Sequence, residues 1–485
     1  MNAPLRKVAI SVLVLFTLLI VNVNVIQVVR AQSLRDNERN TRVLTEEYDR
    51  ERGAIVVAGN EIASSVSTDD TLTYLRQYAN GPLYAPVTGY YSVTLGTRGL
   101  EEAENDVLAG NDARLAFRRI SDMFTGRDPA GGNVELTLDP AVQQAAMDGL
   151  AGNVGAVVAL DPSTGAILGL ASTPTYDPNQ LSSHDPDAMR AYAESITPAD
   201  GSGDADPRSN QAIGERYHPG SIFKVIVSAA ALASGDYTPE TVIPAPQDYV
   251  LPGTQTQLRN FGNEACSSTG EQPLIDALTI SCNTAFAQLG IDLGEDAVRD
   301  MAAAFGIDGE GFDMPLTVSG STLGDIESDA ALGQTSIGQR DVALTPMQAA
   351  MIASAVANDG SLMTPHLVDS IQAPDLSVID QTEPEELSQP VSAEVAEQLT
   401  TMMRSVVDDG TGRRARIDGV QVAGKTGTAE TGTDAPDHNW FIGFAPADDP
   451  TIAVAVFVKN GGGTGGDTSA PIARAVMAAH LGQGN

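Results

Sequence analysis

Apolar and polar positions divide the chain into three stretches of different character. The first contains Val8–Val29, a run of 22 mostly apolar residues behind Arg6 and Lys7, which as a helix is long enough to span about 30 Å of hydrocarbon. This run exceeds the core of a typical signal peptide, so we expect an uncleaved transmembrane helix, with cleavage after Ala31 as the alternative. Residues 1–7 then form a short tail.

The second stretch, residues 30–153, mixes short strand and helix signals. Residues 31–51 are charged and are predicted to be helical, and a strand is predicted to begin within residues 52–57. The remainder is rich in glycine and has no long apolar run. We therefore predict an elongated pedestal or dimerisation-like domain with little core of its own.

The third stretch, residues 154–485, has the pattern of a packed α+β domain. Residues 155–160 and 166–171 read as two buried strands joined by a tight turn, and the acidic residues 182–207 read as an exposed loop or lid. Helices are predicted at Ser221–Ala233, Thr345–Asn358, Ala393–Val407 and Ala470–Leu481, and further strands at 425–428, Asn439–Ala445 and Ile452–Val458. This order predicts an antiparallel sheet flanked by helices beside an all-helical subdomain.

Composition narrows the classes of partner. The chain has 485 residues, a formal net charge of −35 and a pI near 4.2, so nucleic acid, which needs a basic face, is excluded as a partner. Two cysteines, Cys266 and Cys282, predict either a disulfide or two reduced core thiols. Neither they nor the five histidines cluster in a metal-binding pattern, so no metal or cofactor is expected.

Lysine is scarce, and its positions are informative. The chain has four lysines beside 24 arginines, and Lys224 and Lys425 each complete a short motif. Arginine stays protonated at any workable pH, whereas a desolvated lysine near another cation loses its proton and serves as a base. Lys7 and Lys459 have structural explanations, at the membrane span and at the end of the last strand.

The first motif is Ser221-x-x-Lys224. This spacing places a hydroxyl and an amine on one helix face, within hydrogen-bond reach of each other, and the helix dipole favours negative charge on the serine oxygen. A serine at a helix start is ordinarily an N-cap. A lysine within an apolar helix, however, is costly unless it serves a site.

Two further motifs follow. Ser281-x-Asn283 precedes a helical run, and Lys425-Thr426-Gly427-Thr428 lies on a predicted strand, with a glycine where backbone passes close to a ligand. Alone, each is matched by an ordinary turn, cap or edge strand. The order of the three motifs, 60 and 144 residues apart, is the pattern of penicillin-binding proteins and class A β-lactamases.

With these residues in place, the chain resembles a class B penicillin-binding protein of the actinobacterial penicillin-binding protein A group. Residues 217–224 (Tyr-His-Pro-Gly-Ser-Ile-Phe-Lys) and 280–284 (Ile-Ser-Cys-Asn-Thr) carry the resemblance. Supporting segments are residues 52–55, 136–140, 333–339 and 440–444. Residues 54–59 depart from the family, because many relatives carry an Asp-Arg pair after the isoleucine.

The resemblance implies a fold like that of serine β-lactamases and a serine-type D-Ala-D-Ala transpeptidase activity. Ser221 would attack the carbonyl between the terminal D-alanines of a peptidoglycan stem peptide, with Lys224 as proton acceptor. Ser281 would pass a proton to the leaving D-Ala, and Lys425 would keep the site positive. β-Lactams, which mimic this substrate, would be trapped as slowly hydrolysed esters.

Substrate binding is implied for four neighbouring positions. Asn283 would hold the donor's amide, and Thr426 and Thr428 would bind its terminal carboxylate alongside Gly427. The backbone N–H groups of Ser221 and Thr428 would form the oxyanion hole, where loss of one donor typically costs about 10²–10³ in rate. A disulfide between the two cysteines would pin the Ser281 loop.

The resemblance also implies location and partners. The substrate lies outside the cytoplasm, so we expect a single-pass membrane protein with a cytoplasmic N-terminus and an extracytoplasmic catalytic domain. Asn22, Asn24 and Gln27 either suit contact with another membrane protein, such as a polytopic cell-wall glycosyltransferase or a division protein, or lie near the membrane interface without a role.

Several other functions share part of this pattern. A D,D-carboxypeptidase would transfer the acyl group to water, and a β-lactamase is usually smaller and freely secreted. A β-lactam sensor needs a cytoplasmic output module, a division scaffold would not need both lysines, and a bifunctional synthase needs more chain. Gly461-x-Gly463-x-x-Gly466 formally matches a dinucleotide-binding loop, but no parallel strand follows it. We interpret it as a flexible loop beside the cleft.

Overall fold

The computed structural model describes residues 2–30, 48–70, 72–115, 130–432 and 434–483. The predicted helix over residues 31–51 therefore lies mostly outside the described residues. The N-terminal helix runs from Asn2 to Asn24 and continues as a π-helical turn over Val25–Val29. Among the described helices, it alone is long and apolar enough to cross a membrane.

A six-stranded sheet organises the pedestal. Its strands, in spatial order, are Val378–Gln381, Val368–Gln372, Asn133–Leu136, Ile55–Val57, Asn60–Ser67 and Tyr74–Tyr78. All neighbours are antiparallel except the central pair, Ile55–Val57 and Asn133–Leu136, which is parallel. The first two strands come from far downstream, so the sheet joins the pedestal to the rest of the chain.

The pedestal buries more apolar surface than its sequence suggested. Ile55, Val87, Leu100 and Leu108 are fully buried, and they belong to a cluster that continues into the catalytic part of the chain. The apolar residues of the pedestal thus belong to a core shared with the rest of the chain, which the sequence did not indicate. The short pedestal elements pack together too irregularly for a periodic pattern to reveal that core.

A buried ion triad also stabilises the pedestal. The Arg52 and Arg76 guanidinium groups each donate to Glu101 at 2.6 Å, and all three residues are buried. Burial alone would raise the pKa of Glu101, but the two arginines outweigh it and hold that pKa below its usual value. A buried charge set of this kind is strongly destabilised if one partner is removed.

A five-stranded antiparallel sheet, called here the catalytic sheet, forms the second layer. Its spatial order is Ala423–Ala429, His438–Ala445, Ile452–Lys459, Val154–Leu160 and Ile167–Thr173. Along one strand, Ala156 and Val158 join one core cluster, while Val157 and Ala159 join the other. Both faces are thus covered, which explains the nearly continuous apolar runs.

Helices cover both faces of the catalytic sheet. Pro140–Leu150 and the terminal helix, Gly465–His480, pack on one face, and Pro346–Ala357 packs on the other. The predicted α+β architecture with an antiparallel sheet flanked by helices is confirmed. The terminal helix begins five residues earlier than predicted, because Thr464 caps it by accepting from the Asp467 N–H.

A helical layer surrounds the helix Lys224–Ala233, which is almost wholly buried. Asn283–Leu293, Glu295–Ala304 and Ala393–Asp408 pack directly on it, Leu274–Thr279 packs on Ala393–Asp408, and Asp329–Thr335 packs on Asn283–Leu293. The segment 182–207, expected as a loop, contains the helix Pro186–Ser195, in which only Met189 is buried. Asp185 caps this helix by accepting from two backbone N–H groups, a signal that the acidic composition concealed.

Short elements complete the fold. Short α-helices are Gly81–Thr88, Leu100–Ala103, Asn105–Leu108 and Pro178–Leu181, and 3-10 turns are Ala113–Leu115, Gly220–Phe223, Phe261–Asn263 and Arg413–Ala415. Two-stranded ladders pair Tyr90–Ser92 with Gly96–Arg98, Val242–Pro244 with Glu271–Pro273, Asp248–Val250 with Gln257–Arg259, Phe312–Asp313 with Thr317–Val318, and Leu362–Met363 with Glu386–Ser388. The hairpin 248–259 and the turn after it lie beside the candidate site.

Candidate active site

The fold brings the three sequence motifs together where the catalytic sheet meets the helical layer. Ser221 lies on the 3-10 turn Gly220–Phe223, and Lys224 begins the α-helix that follows. The single helix predicted over Ser221–Ala233 is thus a tight turn followed by a helix. Ser281-x-Asn283 occupies the connection into the helix Asn283–Leu293, and Lys425 lies on the edge strand of the catalytic sheet.

The Lys224 amine is fully buried and engaged by the second motif. It donates to the Ser281 carbonyl oxygen at 2.8 Å, to Asn283 Oδ1 at 2.7 Å and to Ser281 Oγ at 3.3 Å. Within the described chain no hydrogen bond joins it to Ser221 Oγ, although the i, i+3 spacing predicted that the two groups could meet. Catalytic hydrogen bonds commonly tighten only when substrate binds.

Lys425 approaches the same serine from the opposite side. Its fully buried amine donates to Ser281 Oγ at 2.9 Å and to the Thr426 carbonyl oxygen at 2.9 Å. The Ser281 hydroxyl oxygen therefore accepts from both lysines, which occupies its two lone pairs. Its own proton is left to be donated elsewhere, which suits a group that passes a proton onward.

Burial shifts the protonation of both lysines. Burial lowers the pKa of Lys224 well below its usual 10.5, and the neighbouring charge of Lys425 lowers that pKa further. Burial lowers the pKa of Lys425 to about 7. Because the two ammonium groups face one hydroxyl, the arrangement disfavours two charges and favours a neutral Lys224 beside a charged Lys425.

Ser281 has an unusual backbone conformation. Its φ is 65°, in the left-handed region that non-glycine residues seldom adopt. This conformation presents both its carbonyl and its hydroxyl to Lys224. Strained backbone of this kind clusters at functional sites. The sequence carries no signal for it, since neither glycine nor asparagine occupies the position.

A disulfide joins the second motif to a neighbouring loop. Cys282, between Ser281 and Asn283, is bonded to Cys266 and is buried. Asn283 is tied to the same region from its other side, because its side-chain N–H donates to the Arg259 carbonyl oxygen at 3.2 Å. The second motif is thus fixed to the segment 259–266 at two points.

Close backbone contacts place the Ser221 turn beside the third motif. Gly220 has φ of 54°, and a Cβ there would lie 2.5 Å from the Thr428 carbonyl oxygen. A Cβ on Gly427 would lie 2.7 Å from the Pro219 carbonyl oxygen. Two glycines therefore allow the Ser221 turn to touch the strand. The resemblance assigned Gly427 to substrate binding. In the structure, its lack of a Cβ is what permits this backbone contact.

Thr426 and Thr428 carry the hydroxyl groups of the third motif. Thr426 Oγ1 lies 2.6 Å from Thr411 Oγ1, and Thr428 Oγ1 accepts from the Gly465 N–H at 3.3 Å. The expectation of a flexible loop through Gly466 is therefore partly wrong. Gly465 and Gly466 open the terminal helix, and Gly465 contacts the strand.

Sequence reasoning missed several supporting residues. Gly338 accepts from the Gly220 N–H at 2.8 Å, and the Trp440 indole N–H donates to the His218 carbonyl oxygen at 2.9 Å. Both lie in segments that carried the family resemblance, but their partners are distant in sequence. Thr411 had no signal of its own. Among the described residues no group of acidic, His or Cys side chains could hold a metal ion.

Comparisons with known proteins agree with this geometry. The penicillin binding protein transpeptidase domain matches residues 155–478, and the penicillin binding protein A dimerisation domain matches residues 52–134. Peptidoglycan D,D-transpeptidase PbpA of Mycolicibacterium smegmatis is 48% identical over 500 residues, covering 100% of both chains. PbpA of Mycobacterium tuberculosis is 48% identical over 493 residues, covering 99% of each.

Solved structures extend the comparison to the fold. The ceftriaxone acyl-enzyme complex of penicillin-binding protein A from M. tuberculosis superposes with a TM-score of 0.86 at 48% identity, covering 90% of this chain and 100% of that one. The penicillin G acyl-enzyme complex of the same protein gives a TM-score of 0.85 at 48% identity, covering 89% of this chain and 100% of that one. The resemblance predicted from the motifs is confirmed, and the chain belongs to the penicillin-binding protein transpeptidase family.

Proposed function

We propose that this protein is a peptidoglycan D,D-transpeptidase that cross-links stem peptides through an acyl-enzyme on Ser221. The observation that carries this proposal is the Ser281 hydroxyl held between Lys224 and Lys425, next to the Ser221 turn. The relatives named peptidoglycan D,D-transpeptidase support the activity, and the acyl-enzyme complexes of a relative support acylation by β-lactams.

Acylation begins with attack of Ser221 Oγ on the carbonyl carbon between the terminal D-alanines. Neutral Lys224 accepts the hydroxyl proton as the new C–O bond forms, and the backbone N–H groups of Ser221 and Thr428 stabilise the oxyanion. Lys224 then returns the proton through Ser281 Oγ, 3.3 Å away, to the leaving nitrogen. The C–N bond breaks and D-Ala departs.

Donor binding uses charge and hydrogen bonds around this centre. The Lys425 ammonium attracts the terminal carboxylate, and the Thr426 and Thr428 hydroxyls donate to it. Asn283 orients the donor's amide, because its side chain is held by Lys224 and by the Arg259 carbonyl. Binding of this kind supplies the orientation that makes the attack productive.

Transfer completes the reaction. An amine from a neighbouring stem attacks the acyl-enzyme carbonyl, and the ester C–O bond to Ser221 breaks as the new amide bond forms. The proton released by the amine restores the Ser221 hydroxyl. In a β-lactam the leaving nitrogen stays tethered in the opened ring. Such a ligand keeps the acceptor position covered, and the ester persists.

Hydrolysis is the alternative fate of the acyl-enzyme. With water as acceptor the protein would act as a D,D-carboxypeptidase, and with fast hydrolysis of penicillin it would act as a β-lactamase. The match to both family domains, 52–134 and 155–478, favours the transpeptidase. A β-lactam sensor or a division scaffold would not need the paired lysines.

Location follows from the substrate. The N-terminal apolar helix indicates a membrane-anchored protein. We place the tail of residues 1–7 in the cytoplasm and the catalytic domain outside the membrane, where peptidoglycan lies. The polar residues within the span, Asn22, Asn24 and Gln27, suit a polytopic glycosyltransferase or a division protein as membrane partner.

A cross-linking assay tests the transferase activity. The purified full-length protein in detergent is incubated with a donor stem peptide ending in D-Ala-D-Ala and an amine acceptor. We expect a cross-linked product with release of D-Ala, and none with Ser221→Ala. Release of D-Ala without cross-links at saturating acceptor would identify a carboxypeptidase and overturn the proposal.

A further inference from the structure

Phe261 is the most exposed large apolar side chain in the described part of the chain, at 72%. It lies on the 3-10 turn Phe261–Asn263, far from the membrane helix in sequence. Exposure of an aromatic ring to water is unfavourable. A single exposed apolar residue is ordinarily of no consequence, so its surroundings decide whether it has a role.

On the N-terminal side of Phe261, hydrogen bonds attach the turn to the loop of the second motif, Ser281-x-Asn283, and the residue after it. The Arg259 carbonyl accepts from the Asn283 side chain at 3.2 Å, and Asn260 Oδ1 accepts from the Thr284 N–H at 3.1 Å. Asn260 is 8% exposed, and its side-chain Nδ2 donates to the Gln247 carbonyl oxygen at 3.2 Å. These bonds fix the backbone entering the turn.

The turn is attached to the same loop on its C-terminal side. Cys266 is covalently bonded to Cys282, the residue between Ser281 and Asn283. The turn itself is closed, since the Asn263 N–H donates to the Asn260 carbonyl at 3.0 Å. Both ends of the segment that carries Phe261 are therefore clamped to the motif that contacts Lys224. Because this backbone is already fixed, little backbone entropy is lost when a ligand contacts Phe261.

We infer that Phe261 forms an apolar subsite for the acyl side chain of the donor. The inference rests on the proposed function, in which Asn283 orients the donor's amide. Because the Asn283 side chain also donates to the Arg259 carbonyl, the segment 259–261 adjoins the site of that amide. The inference assigns to Phe261 the group attached beyond the amide, which is the aliphatic stem residue in the substrate and the acylamido side chain in a penicillin. Phe261 is a specificity-determining residue that distinguishes donors by this group.

The test compares two penicillins that differ only at the relevant group. Benzylpenicillin carries an aromatic side chain, and 6-aminopenicillanic acid carries the same reactive ring system without one. Second-order acylation constants of the full-length protein are measured for both compounds. In Phe261→Ala we expect the benzylpenicillin to 6-aminopenicillanic acid ratio to fall roughly tenfold, the effect of losing one aromatic contact together with its buried area.

Two variants serve as controls. Phe261→Tyr keeps the ring and should keep the wild-type ratio, and Val378→Ala removes another exposed apolar side chain, 58% exposed, from the pedestal sheet. An unchanged ratio in Phe261→Ala would overturn the inference, as would an equal loss for both compounds, which indicates only a disturbed loop. Failure of both compounds to acylate the wild type would instead refute the proposed function.

Discussion

Two buried lysines and the hydroxyl between them set the chemistry of the site. Lys224 and Lys425 both donate to Ser281 Oγ, and two ammonium charges at one oxygen repel each other strongly in a low-dielectric interior. One lysine must therefore be neutral for the arrangement to persist. Lys224, whose pKa burial and the neighbouring charge both lower, is the one available as a base.

Replacement of Lys224 by arginine separates charge from basicity. Arginine keeps a cation but cannot give up its proton, so Lys224→Arg should lower the benzylpenicillin acylation rate by at least about a hundredfold, the range typical of a lost general base. Stopped-flow or gel-based labelling measures the rate. Unchanged labelling of the arginine variant would show that Lys224 acts only through its charge.

The acylation rate should depend on pH in a bell shape. It rises as Lys224 loses its proton, at a pH well below 10.5 because its pKa is lowered. It falls as Lys425 loses the charge that attracts the carboxylate, near its pKa of about 7. The measurement is the second-order acylation constant across roughly pH 5 to 10.

Lys425→Arg is the control for the descending limb. Arginine stays charged throughout this range, so that limb should disappear even if the maximum rate is lower. A wild-type rate that climbs steadily through pH 10 would mean that Lys224 retains an ordinary pKa. Neither lysine would then be shifted as the burial predicts.

Residue-scale chemistry was the part most readable from the sequence. Lysine scarcity drew attention to Lys224 and Lys425, and motif order identified Ser221, Ser281 and Asn283. The hydrogen-bond partners of these residues were harder to predict from the sequence. The i, i+3 spacing predicted a Ser221–Lys224 contact, whereas the amine is drawn to Ser281 and Asn283, because the left-handed Ser281 backbone is a tertiary feature.

At the scale of elements, the Ser221 turn depends on close backbone packing. Gly338 accepts from the Gly220 N–H, and a Cβ on Gly338 would lie 1.9 Å from the Gly220 carbonyl oxygen. Gly338→Ala should therefore lower both the apparent Tm and the acylation rate. Overpacking of this kind costs about 1–3 kcal/mol, beyond the strain of a positive φ.

Gly235 offers a matched control, because its φ of 79° is close to the 77° of Gly338 and nothing lies within 4 Å of its Cβ position. Gly235→Ala should show the backbone strain alone, about 1–2 kcal/mol, with acylation intact. If both alanine variants lose the same stability and acylate normally, the contact with Gly220 does not position the nucleophile.

Elements with strong periodicity were predicted well, and elements that depend on distant partners were not. The strands 438–445 and 452–459 and the helix Ala393–Asp408 were found within a residue or two. The 3-10 start at Gly220 follows from contact with Thr428 and Gly338, which no local pattern encodes. The helix Pro186–Ser195 was hidden by its polar exposed face.

At the scale of the whole molecule, the pedestal and the catalytic domain share one hydrophobic core, whereas the N-terminal apolar helix stands outside it. The pedestal sheet takes two strands from residues 368–381, so the pedestal cannot be removed as a simple N-terminal unit. The sequence did not reveal that strands from residues 368–381 join the pedestal sheet, because a short strand carries no local signal for its partner. The orientation of the N-terminal helix is likewise a proposal that rests on where the substrate lies.

The proposed orientation of the N-terminal helix predicts the result of a protease-protection experiment. In right-side-out membrane vesicles, protease added outside should digest the catalytic domain, and a membrane-impermeant fluorescent penicillin should label the protein. Inverted vesicles, the matched control, should protect it until detergent is added. Protection in right-side-out vesicles would place the catalytic domain on the cytoplasmic side and contradict the location argued from the substrate.

The central claim, a Ser221 acyl-enzyme, is tested most directly by mass spectrometry. Intact mass after incubation with benzylpenicillin should increase by one penicillin per chain, and peptide mapping should locate the adduct on Ser221. Ser221→Ala, with unchanged thermal unfolding, should gain no mass. An adduct on another residue, or equal labelling of the alanine variant, would contradict the account.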